Sequence, residues 1–281
     1  MLFLPADRSE RFRKALDSGA DVVCLDLEDG VAFNRKDLAR QAALDLLQHR
    51  APTRAEIVLR INDPKTDLGR QDLKALLASS ARPDALMLPK TTGAGEVRQV
   101  ESELRQGPQG LPLVLMIETA RAVAAAEDIA TASSDVAFLF FGGVDLSADL
   151  GCAMTWDALL VARSRTVLAA AIAGVEAMDS PFLDVPDVGA LAEECAAVRR
   201  LGFTGKAAIH PTQVSVIQDA FSPGEAEVAW ARRVVSAYEA QQGGVLLVDG
   251  RLVERPVIAS AKRTLAAATA VETDIERRRQ C

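Results

Sequence analysis

Residues 111–150 decide the fold, and they read LPLVLMIETARAVAAAEDIATASSDVAFLFFGGVDLSADL. They contain two apolar runs of strand length, Leu113–Ile117 and Val136–Phe141, on either side of an alanine-rich helical segment. Glu118 follows the first run directly, and Asp145 follows the second after a Gly-Gly-Val turn. In a strand-helix-strand unit the two strands are parallel, so their carboxyl ends lie on the same edge of the sheet. The two carboxylates are therefore predicted to lie close together.

Two carboxylates without a neighbouring histidine or cysteine favour a hard cation. Mg²⁺ binds one or two carboxylates, keeps several waters and leaves the other positions to a substrate. The alternative is that Glu118 and Asp145 only cap the helices that follow them, because acidic residues are favoured at helix N-termini. Charges at the ends of the other predicted strands weigh against capping alone.

The composition excludes several classes of protein. The chain has 281 residues, 49% of them hydrophobic and only 4% aromatic, which indicates helices packed on buried strands. It has no run of about 18 apolar residues, so no membrane span is predicted. The strand-like start MLFLP argues against a signal peptide. With a net charge of -7 and scattered arginines, nucleic-acid binding is not expected.

The four cysteines do not form a metal or disulfide motif. Cys24, Cys152, Cys195 and Cys281 lack CxxC spacing, and most lie in apolar segments. They are interpreted as reduced thiols, which favours a cytoplasmic location.

Eight apolar runs of strand length alternate with helical patterns. They are Leu2–Pro5, Val22–Leu27, Ile57–Ile61, Ala85–Leu88, Leu113–Ile117, Val136–Phe141, Val175–Met178 and Lys206–Ile209. This alternation predicts an α/β fold, a (β/α)₈ TIM barrel, with a doubly wound open sheet as the alternative. Polar or charged residues stand at the end of nearly every run. In order, these are Asp7 and Arg8; Asp26, Glu28 and Asp29; Arg60 and Asn62; Lys90; Glu118; Asp145; Asp179; and His210. In barrels this end of the strands is the catalytic face.

Several common catalytic motifs are missing. The sequence has no GxxxxGK[ST] phosphate loop, no GxGxxG dinucleotide fingerprint and no GxSxG nucleophile elbow. A nucleotide-binding Rossmann fold and a serine hydrolase are therefore disfavoured.

A different pattern begins after the eighth run. A turn at Ser222–Glu225 starts a predicted helix to about Ala240, and Gly243-Gly244 precedes a hairpin centred on Asp249-Gly250. A further helix is predicted from Val257 to about Val271, with a frayed polar tail. The expected domains are therefore a barrel over residues 1–221 and a helix-hairpin-helix extension over residues 222–281 that packs on a neighbouring subunit.

The chain resembles the citrate lyase beta-subunit-like family of CoA-ester lyases, relatives of citramalyl-CoA and malyl-CoA lyases in the HpcH/HpaI aldolase superfamily. The motifs that carry the resemblance, in chain order, are LFLPADRSERFRKAL, VCLDLEDGV, VLRIN, MLPK, MIETA, FGGVDLSADLG, AIHPTQV and VDGRLVERPV. They span nearly the whole chain. The resemblance implies a (β/α)₈ barrel, a Mg²⁺ cofactor and a homo-oligomer, with a trimer suggested.

The resemblance also implies roles for individual residues. Glu118 and Asp145 are the expected Mg²⁺ ligands, with Glu118 also near the substrate. Arg60 is expected to contact substrate oxygens beside the metal. The remaining roles follow the motifs: Glu28 and Asp29 hold metal waters and Arg60, and Arg8, Arg11 and Lys14 form part of the CoA site. Lys90 is assigned to substrate binding at the barrel mouth.

Two positions depart from the family pattern. Val144 stands where the family commonly has Glu before the metal-binding Asp. Glu254 stands in the hairpin where lyases of free CoA esters usually carry an Asp that reaches the neighbour's active site. Glu254 keeps the carboxylate with one more methylene, which displaces a general acid/base.

Structural alternatives exist for the other candidates. Arg60 can simply pair with Glu28 or Asp29, as charges in barrel mouths often do. Lys90 is interpreted as a charge partner in preference to a Schiff-base lysine. His210 before Pro211 is interpreted as ending the eighth strand, with catalysis as the alternative.

The expected reaction is the cleavage of a 3-hydroxyacyl-CoA that carries a carboxylate beside its hydroxyl. Mg²⁺ would act as Lewis acid, Arg60 would stabilise the thioester enolate, and Glu254 of a partner chain would move the proton. The products would be acetyl-CoA and a 2-oxo acid such as pyruvate, glyoxylate or oxaloacetate. Alternatives are a citrate lyase beta subunit acting on a carrier-protein substrate with partner subunits, a malyl-CoA thioesterase, and a non-catalytic barrel that binds metal and acid.

Overall fold

The computed structural model describes residues 1–107, 110–241 and 244–279, with side chains through residue 269. The chain divides into two compact units, Met1–Ile217 and Gln218–Cys281. The predicted boundary after residue 221 lies four residues later than this division. Among the cysteines, Cys24, Cys152 and Cys195 are free thiols, and Cys281 lies outside the described residues.

Eight parallel strands lie side by side in chain order in the first unit. They are β1 (Leu2–Pro5), β2 (Val22–Asp26), β3 (Glu56–Arg60), β4 (Ala85–Leu88), β5 (Leu113–Ile117), β6 (Val136–Phe141), β7 (Glu176–Asp179) and β8 (Gly205–Lys206). The chain after β8 returns to β1, where Phe3 N donates to Ala208 O at 2.9 Å and Ala208 N donates to Met1 O at 2.8 Å. A parallel bridge between Leu2 and Ala208 completes this contact. The predicted (β/α)₈ barrel is confirmed, and the open sheet is excluded.

The strands are apolar because both of their faces are covered. All five residues of β5 are buried, as are all four of β4. Inside the barrel, Cys24, Met87 and Met116 pack with Phe140 in one cluster. Such filling makes the barrel interior a packed core in place of a channel.

Helices connect the strands on the outside. They are α1 (Phe12–Asp17), α2 (Lys36–His49), α3 (Asp67–Ala78), α4 (Ala94–Leu104), α5 (Ala120–Ala124), α6 (Ala126–Ala130), α7 (Gly143–Leu150), α8 (Trp156–Ala173), α9 (Val188–Leu201) and α10 (Thr212–Phe221), with 3₁₀ helices at Ala6–Arg11 and Phe33–Arg35. In the described part of the chain, none of the helices is long and apolar enough to cross a membrane.

The second unit contains α11 (Glu225–Ala240), a hairpin of β9 (Leu246–Val248) and β10 (Arg251–Val253), and α12 (Arg255–Arg279). The turn residues Asp249 and Gly250 have φ of 50° and 75°, as a tight two-residue hairpin requires. The predicted hairpin is therefore confirmed, although Gly243 lies outside the described residues. The prediction of a frayed tail after Val271 was wrong, because α12 continues to Arg279 through a sequence rich in helix-forming Glu and Arg.

Candidate active site

A cavity of about 360 Å³ opens at the carboxyl ends of the strands. Its lining combines aromatic and aliphatic side chains from β1, β5 and β6 with the charged residues Asp26, Asp29, Arg60 and Asp145. The mouth of the barrel thus presents charge above an apolar floor, as binding sites for small organic acids do.

Three carboxylates converge on one ammonium group beside this cavity. Lys90 Nζ lies 2.5 Å from Asp145 Oδ1. It also lies 3.7 Å from Glu118 Oε1 and 3.8 Å from Glu28 Oε1. Glu118 and Asp145, predicted to meet from the sequence, therefore share a cation in the structure.

The acids of this cluster are short of positive charge. Glu118 is completely buried, and its Oε2 has no hydrogen-bond partner in the described residues. Burial raises the pKa of Glu118 to about 7 and that of Glu28 to about 8, because a carboxylate removed from water loses its solvation. A second cation beside Glu118 and Glu28 would compensate for the lost solvation of their carboxylates.

The donor set suits Mg²⁺. The described residues contain no group of three or more His, Cys, Asp or Glu side chains arranged as a complete metal cage. Mg²⁺ does not need one, since it binds through one or two carboxylates and completes its shell with water and substrate oxygens. The unpartnered Oε2 of Glu118 and the oxygens of Asp145 fit this requirement.

Gly142 allows the Glu118 carboxylate to lie where it does. A Cβ atom on Gly142 would be 2.4 Å from Glu118 Cβ and 2.8 Å from Glu118 Oε2. A larger residue would therefore displace the carboxylate.

Arg60 is held in a fixed orientation at the end of β3. Its Nε and Nη2 each donate to Asp26 at 2.7 Å, and its Nη1 lies 2.9 Å from Glu28 Oε2. The guanidinium carbon lies 4.9 Å from the centre of the Phe3 ring. Burial lowers the pKa of Arg60, but the charge and hydrogen bonds of Asp26 outweigh it, so the pKa is raised overall and the group stays charged.

Asp26 performs part of the role expected of Asp29. It accepts both hydrogen bonds from Arg60 and also those of the backbone N–H groups of Glu28 and Gly30. Asp29 is exposed and lines the same cavity. Arg60 is thus oriented by Asp26 and Glu28.

Lys90 has the surroundings of a charge partner. Burial lowers its pKa, but Glu118, Asp145 and Glu28 raise it more, so the pKa is raised overall. A Schiff-base lysine needs the opposite shift. Its backbone has a φ of 52°, and its N–H donates to Glu118 Oε1 at 2.6 Å.

A second cavity of about 340 Å³ lies beside the first, and its lining includes Arg11, Lys14 and His210. Both cavities are lined by Phe3, Pro5 and Ile209, so they are adjacent. Arg8 is exposed on the preceding 3₁₀ helix and is absent from the lining of this cavity. His210 Nδ1 is 2.8 Å from Thr212 Oγ1, but β8 ends at Lys206, so the interpretation of His210 as the residue that ends this strand was wrong.

The two departures from the family pattern occupy different units. Val144 is exposed and lines the central cavity, which is the first cavity of about 360 Å³. Glu254 is exposed between β10 and α12, and its carbonyl oxygen accepts from Ile258 N. The catalytic role of Glu254 stays a prediction.

Several residues of the site were not found from the sequence. Ser180 carries no charge and lies in none of the family motifs, whereas Gly142 lies in FGGVDLSADLG but was given no role. Arg163 is buried on α8 against Asp179, although a helical arginine usually lies in solvent. The sequence did offer one signal for Ser180, because this residue follows Asp179 at the end of a predicted strand.

A closed barrel with clustered carboxylates and a fixed guanidinium at its carboxyl-terminal mouth defines a cation-dependent (β/α)₈ enzyme. Comparison with known proteins gives the family. The sequence pattern described as HpcH/HpaI aldolase/citrate lyase matches residues 1–211. The chain belongs to this family, which confirms both the resemblance and the predicted class, a carbon-carbon lyase.

Relatives of similar length carry three different names. A citrate lyase subunit beta-like protein of Mycobacterium tuberculosis is 36% identical, with 94% of this chain and 93% of the relative covered. The mitochondrial citramalyl-CoA lyase of Homo sapiens is 29% identical, with 97% and 86% covered. A (3S)-malyl-CoA thioesterase of Cereibacter sphaeroides is 33% identical, with 96% and 94% covered.

A solved structure has the same fold over nearly the whole chain. It is the protein CitE of Mycobacterium tuberculosis in complex with magnesium, acetoacetate and coenzyme A. It is 36% identical, with a TM-score of 0.81 and coverage of 95% of this chain and 97% of that one.

Proposed function

We propose that this protein is a Mg²⁺-dependent lyase that cleaves a 3-hydroxyacyl-CoA of the citramalyl-CoA or malyl-CoA type to acetyl-CoA and a 2-oxo acid. The convergence of Glu28, Glu118 and Asp145 on one cation, beside the cavity that Arg60 lines, carries this proposal. Relatives named for citramalyl-CoA and malyl-CoA support the substrate class.

Glu118 and Asp145 hold the metal in this proposal. Bound Mg²⁺ supplies a Lewis acid that lowers the pKa of the substrate hydroxyl and stabilises the developing 2-oxo acid. Glu28, which touches both the Lys90 ammonium and Arg60, keeps the two cations at a fixed separation. The magnesium in the related CitE structure supports the choice of ion.

Arg60 stabilises the charge that forms when the carbon-carbon bond breaks. The hydroxyl gives up its proton, the bond between the carbinol carbon and the thioester α-carbon breaks, and the electron pair moves to the thioester as an enolate. The Arg60 guanidinium is already oriented by Asp26, so it needs no reorganisation to meet the enolate oxygen. Protonation of the α-carbon then gives acetyl-CoA, and Glu254 of a partner chain is the proposed proton carrier.

The second cavity is the proposed entry of the CoA moiety. Arg11 and Lys14 supply positive charge for its phosphates, and the shared walls at Phe3 and Ile209 lead to the reacting centre. Arg8 lies on the preceding 3₁₀ helix outside the lining of this cavity, and it is proposed as a further contact for the CoA phosphates.

The central cavity favours a product with one carboxylate. Among its described lining residues, Arg60 is the one cation, and it is already paired with Asp26 and Glu28. A second carboxylate, as in oxaloacetate, would enter a space walled by Val144, Ile209 and aromatic rings. A citrate lyase beta subunit acting on citryl-acyl-carrier protein within a complex is therefore the second candidate.

Product analysis with a panel of thioesters tests this function. With MgCl₂, the purified protein should release pyruvate from citramalyl-CoA or glyoxylate from malyl-CoA, in each case with acetyl-CoA, and EDTA should abolish release. Oxaloacetate from citryl-CoA alone would favour the second candidate. Free malate from malyl-CoA would instead indicate a thioesterase. Release of no 2-oxo acid from any of the three would overturn the proposal.

A further inference from the structure

Ser180 has a buried hydroxyl without a partner. It directly follows β7, its exposed fraction is 0%, and it is one of the residues around the central cavity. In the described residues, Ser180 Oγ makes no hydrogen bond. A buried hydroxyl without a hydrogen-bond partner lowers the stability of the folded state. A ligand that hydrogen-bonds to Ser180 Oγ would remove this cost.

The hydroxyl lies against the N-terminus of α7. A Cβ atom on Gly143, the first residue of this helix, would be 3.0 Å from Ser180 Oγ. The N-cap residue Gly142 gives no side-chain cap, and the first N–H groups of a helix have no partner within it. Ser180 and these N–H groups therefore offer hydrogen-bond donors to one region of the cavity, which suits an anion.

A buried ion network fixes the backbone of Ser180. Lys206 Nζ donates to Ser180 O at 2.7 Å and to Asp179 Oδ2 at 2.5 Å. Arg163 Nε donates to Asp179 Oδ1 at 2.9 Å, and Glu194 Oε1 accepts from Lys206 at 2.6 Å. Arg163, Asp179 and Lys206 are all buried, so the end of β7 is rigid where it meets the cavity.

We propose that the Ser180 hydroxyl binds the carboxylate of the 2-oxo acid and positions it between the metal site and Arg60. This assignment rests on the proposed function. It makes Ser180 a substrate-binding residue, with Asp179 and Lys206 as positioning residues. The carboxylate then supplies the partner that Ser180 Oγ lacks.

The test compares Ser180→Ala with Ser164→Ala as the matched control. Ser164 Oγ donates to Leu160 O within α8, so its loss removes a hydroxyl away from the cavity. Binding of pyruvate in the presence of MgCl₂ is measured by titration calorimetry, binding of MgCl₂ is measured alone, and the melting temperature is recorded without ligand. Thioester cleavage by the wild-type protein is followed in parallel.

Ser180→Ala should weaken pyruvate binding by about 10- to 100-fold, the effect of losing a hydrogen bond to a charged group. Its melting temperature should be unchanged or higher and its Mg²⁺ affinity unchanged, because no protein partner is lost. Unchanged pyruvate affinity would overturn the role of Ser180, as would a lower melting temperature with weaker Mg²⁺ binding. Wild-type protein that neither binds pyruvate nor cleaves any thioester would overturn the proposed function itself.

Discussion

Gly142 controls the position of the proposed metal ligand Glu118. We predict that Gly142→Ala lowers Mg²⁺ affinity at least tenfold, because the new Cβ would lie 2.4 Å from Glu118 Cβ and push the carboxylate away from Asp145. Titration calorimetry with MgCl₂ measures the effect.

Gly95→Ala is the control for this substitution. Gly95 lies in α4, and a Cβ atom added to it would meet no other atom within 4 Å, so alanine there should leave Mg²⁺ affinity unchanged. Equal affinity of Gly142→Ala and wild type would show that Glu118 is not a ligand or that its neighbourhood is free to adjust.

The Lys90 ammonium is the cation shared by the carboxylates of Glu28, Glu118 and Asp145. Replacement by Met should lower the stability of the metal-free protein by about 1–3 kcal/mol, because the acids are left without that charge. Added MgCl₂ should raise the melting temperature of Lys90→Met more than that of wild type. Identical melting temperatures in EDTA would contradict this account.

Some site residues followed from the sequence and others did not. Glu118, Asp145 and Arg60 stand at strand ends, and strand ends of a barrel share one face, so their convergence was predictable. Gly142 lies against Glu118 and Ser180 lies against Gly143, and these contacts depend on side-chain directions that strand positions do not specify.

At the scale of elements, Asp84 ties the start of β3 and the start of β4 to Arg50, the residue after α2. This carboxylate accepts from Arg50 Nη1 and Nη2 at 2.8 Å and from Ile57 N at 2.6 Å. The hydrogen bonds from Arg50 hold the pKa of Asp84 below its usual value of 3.8.

This lowered pKa sets the direction of a pH effect. A carboxyl whose pKa is lower in the folded state stabilises the protein above its unfolded pKa and loses that effect as pH falls through the folded value. The Asp84 side chain is 38% exposed, and solvent screening weakens its pairing with Arg50, so Asp84→Asn should cost about 1 kcal/mol at pH 7 and progressively less below about pH 4. Urea unfolding of the variant and the wild type at pH 7 and below pH 4 measures the difference in the free energy of unfolding. An equal loss of stability at the two pH values would assign the effect to packing.

Four strands were predicted to the residue, and the other four were not. β2, β3 and β7 differ from the predicted bounds by one residue at one or both ends. β1, β4, β5 and β6 have the predicted bounds, and every residue of β4 and β5 is buried. The prediction of Lys206–Ile209 for the eighth strand was wrong, because β8 is Gly205–Lys206. Beyond Lys206, Ala207 N still donates a hydrogen bond to Asp179 O. Ala208 instead forms backbone hydrogen bonds with Met1 and Phe3, so this part of the chain closes the barrel against β1.

At the scale of the whole molecule, the hairpin of the second unit exposes apolar side chains. Leu247 and Leu252 are cross-strand partners, and both are more than half exposed. Such a patch favours contact with another chain, in line with the proposed homo-oligomer. We predict that Leu247→Glu lowers the molecular mass measured by analytical ultracentrifugation, whereas Arg251→Glu, an exposed change on the same hairpin, does not.

An unchanged mass for Leu247→Glu would place the subunit interface elsewhere. If the mass falls and lyase activity falls with it, the hairpin residue Glu254 is supported as a group supplied to a neighbouring active site. Activity that persists in the monomer would contradict that role.

The seam at which the barrel closes is short, because few backbone hydrogen bonds join β1 to the chain after β8. The walls of the second cavity come from both sides of this seam, with Leu2 and Phe3 on one side and Ile209 and His210 on the other. A CoA moiety bound at this proposed site would therefore contact both sides of the seam. We expect thioester binding to stabilise the closure of the barrel as well as to place the substrate.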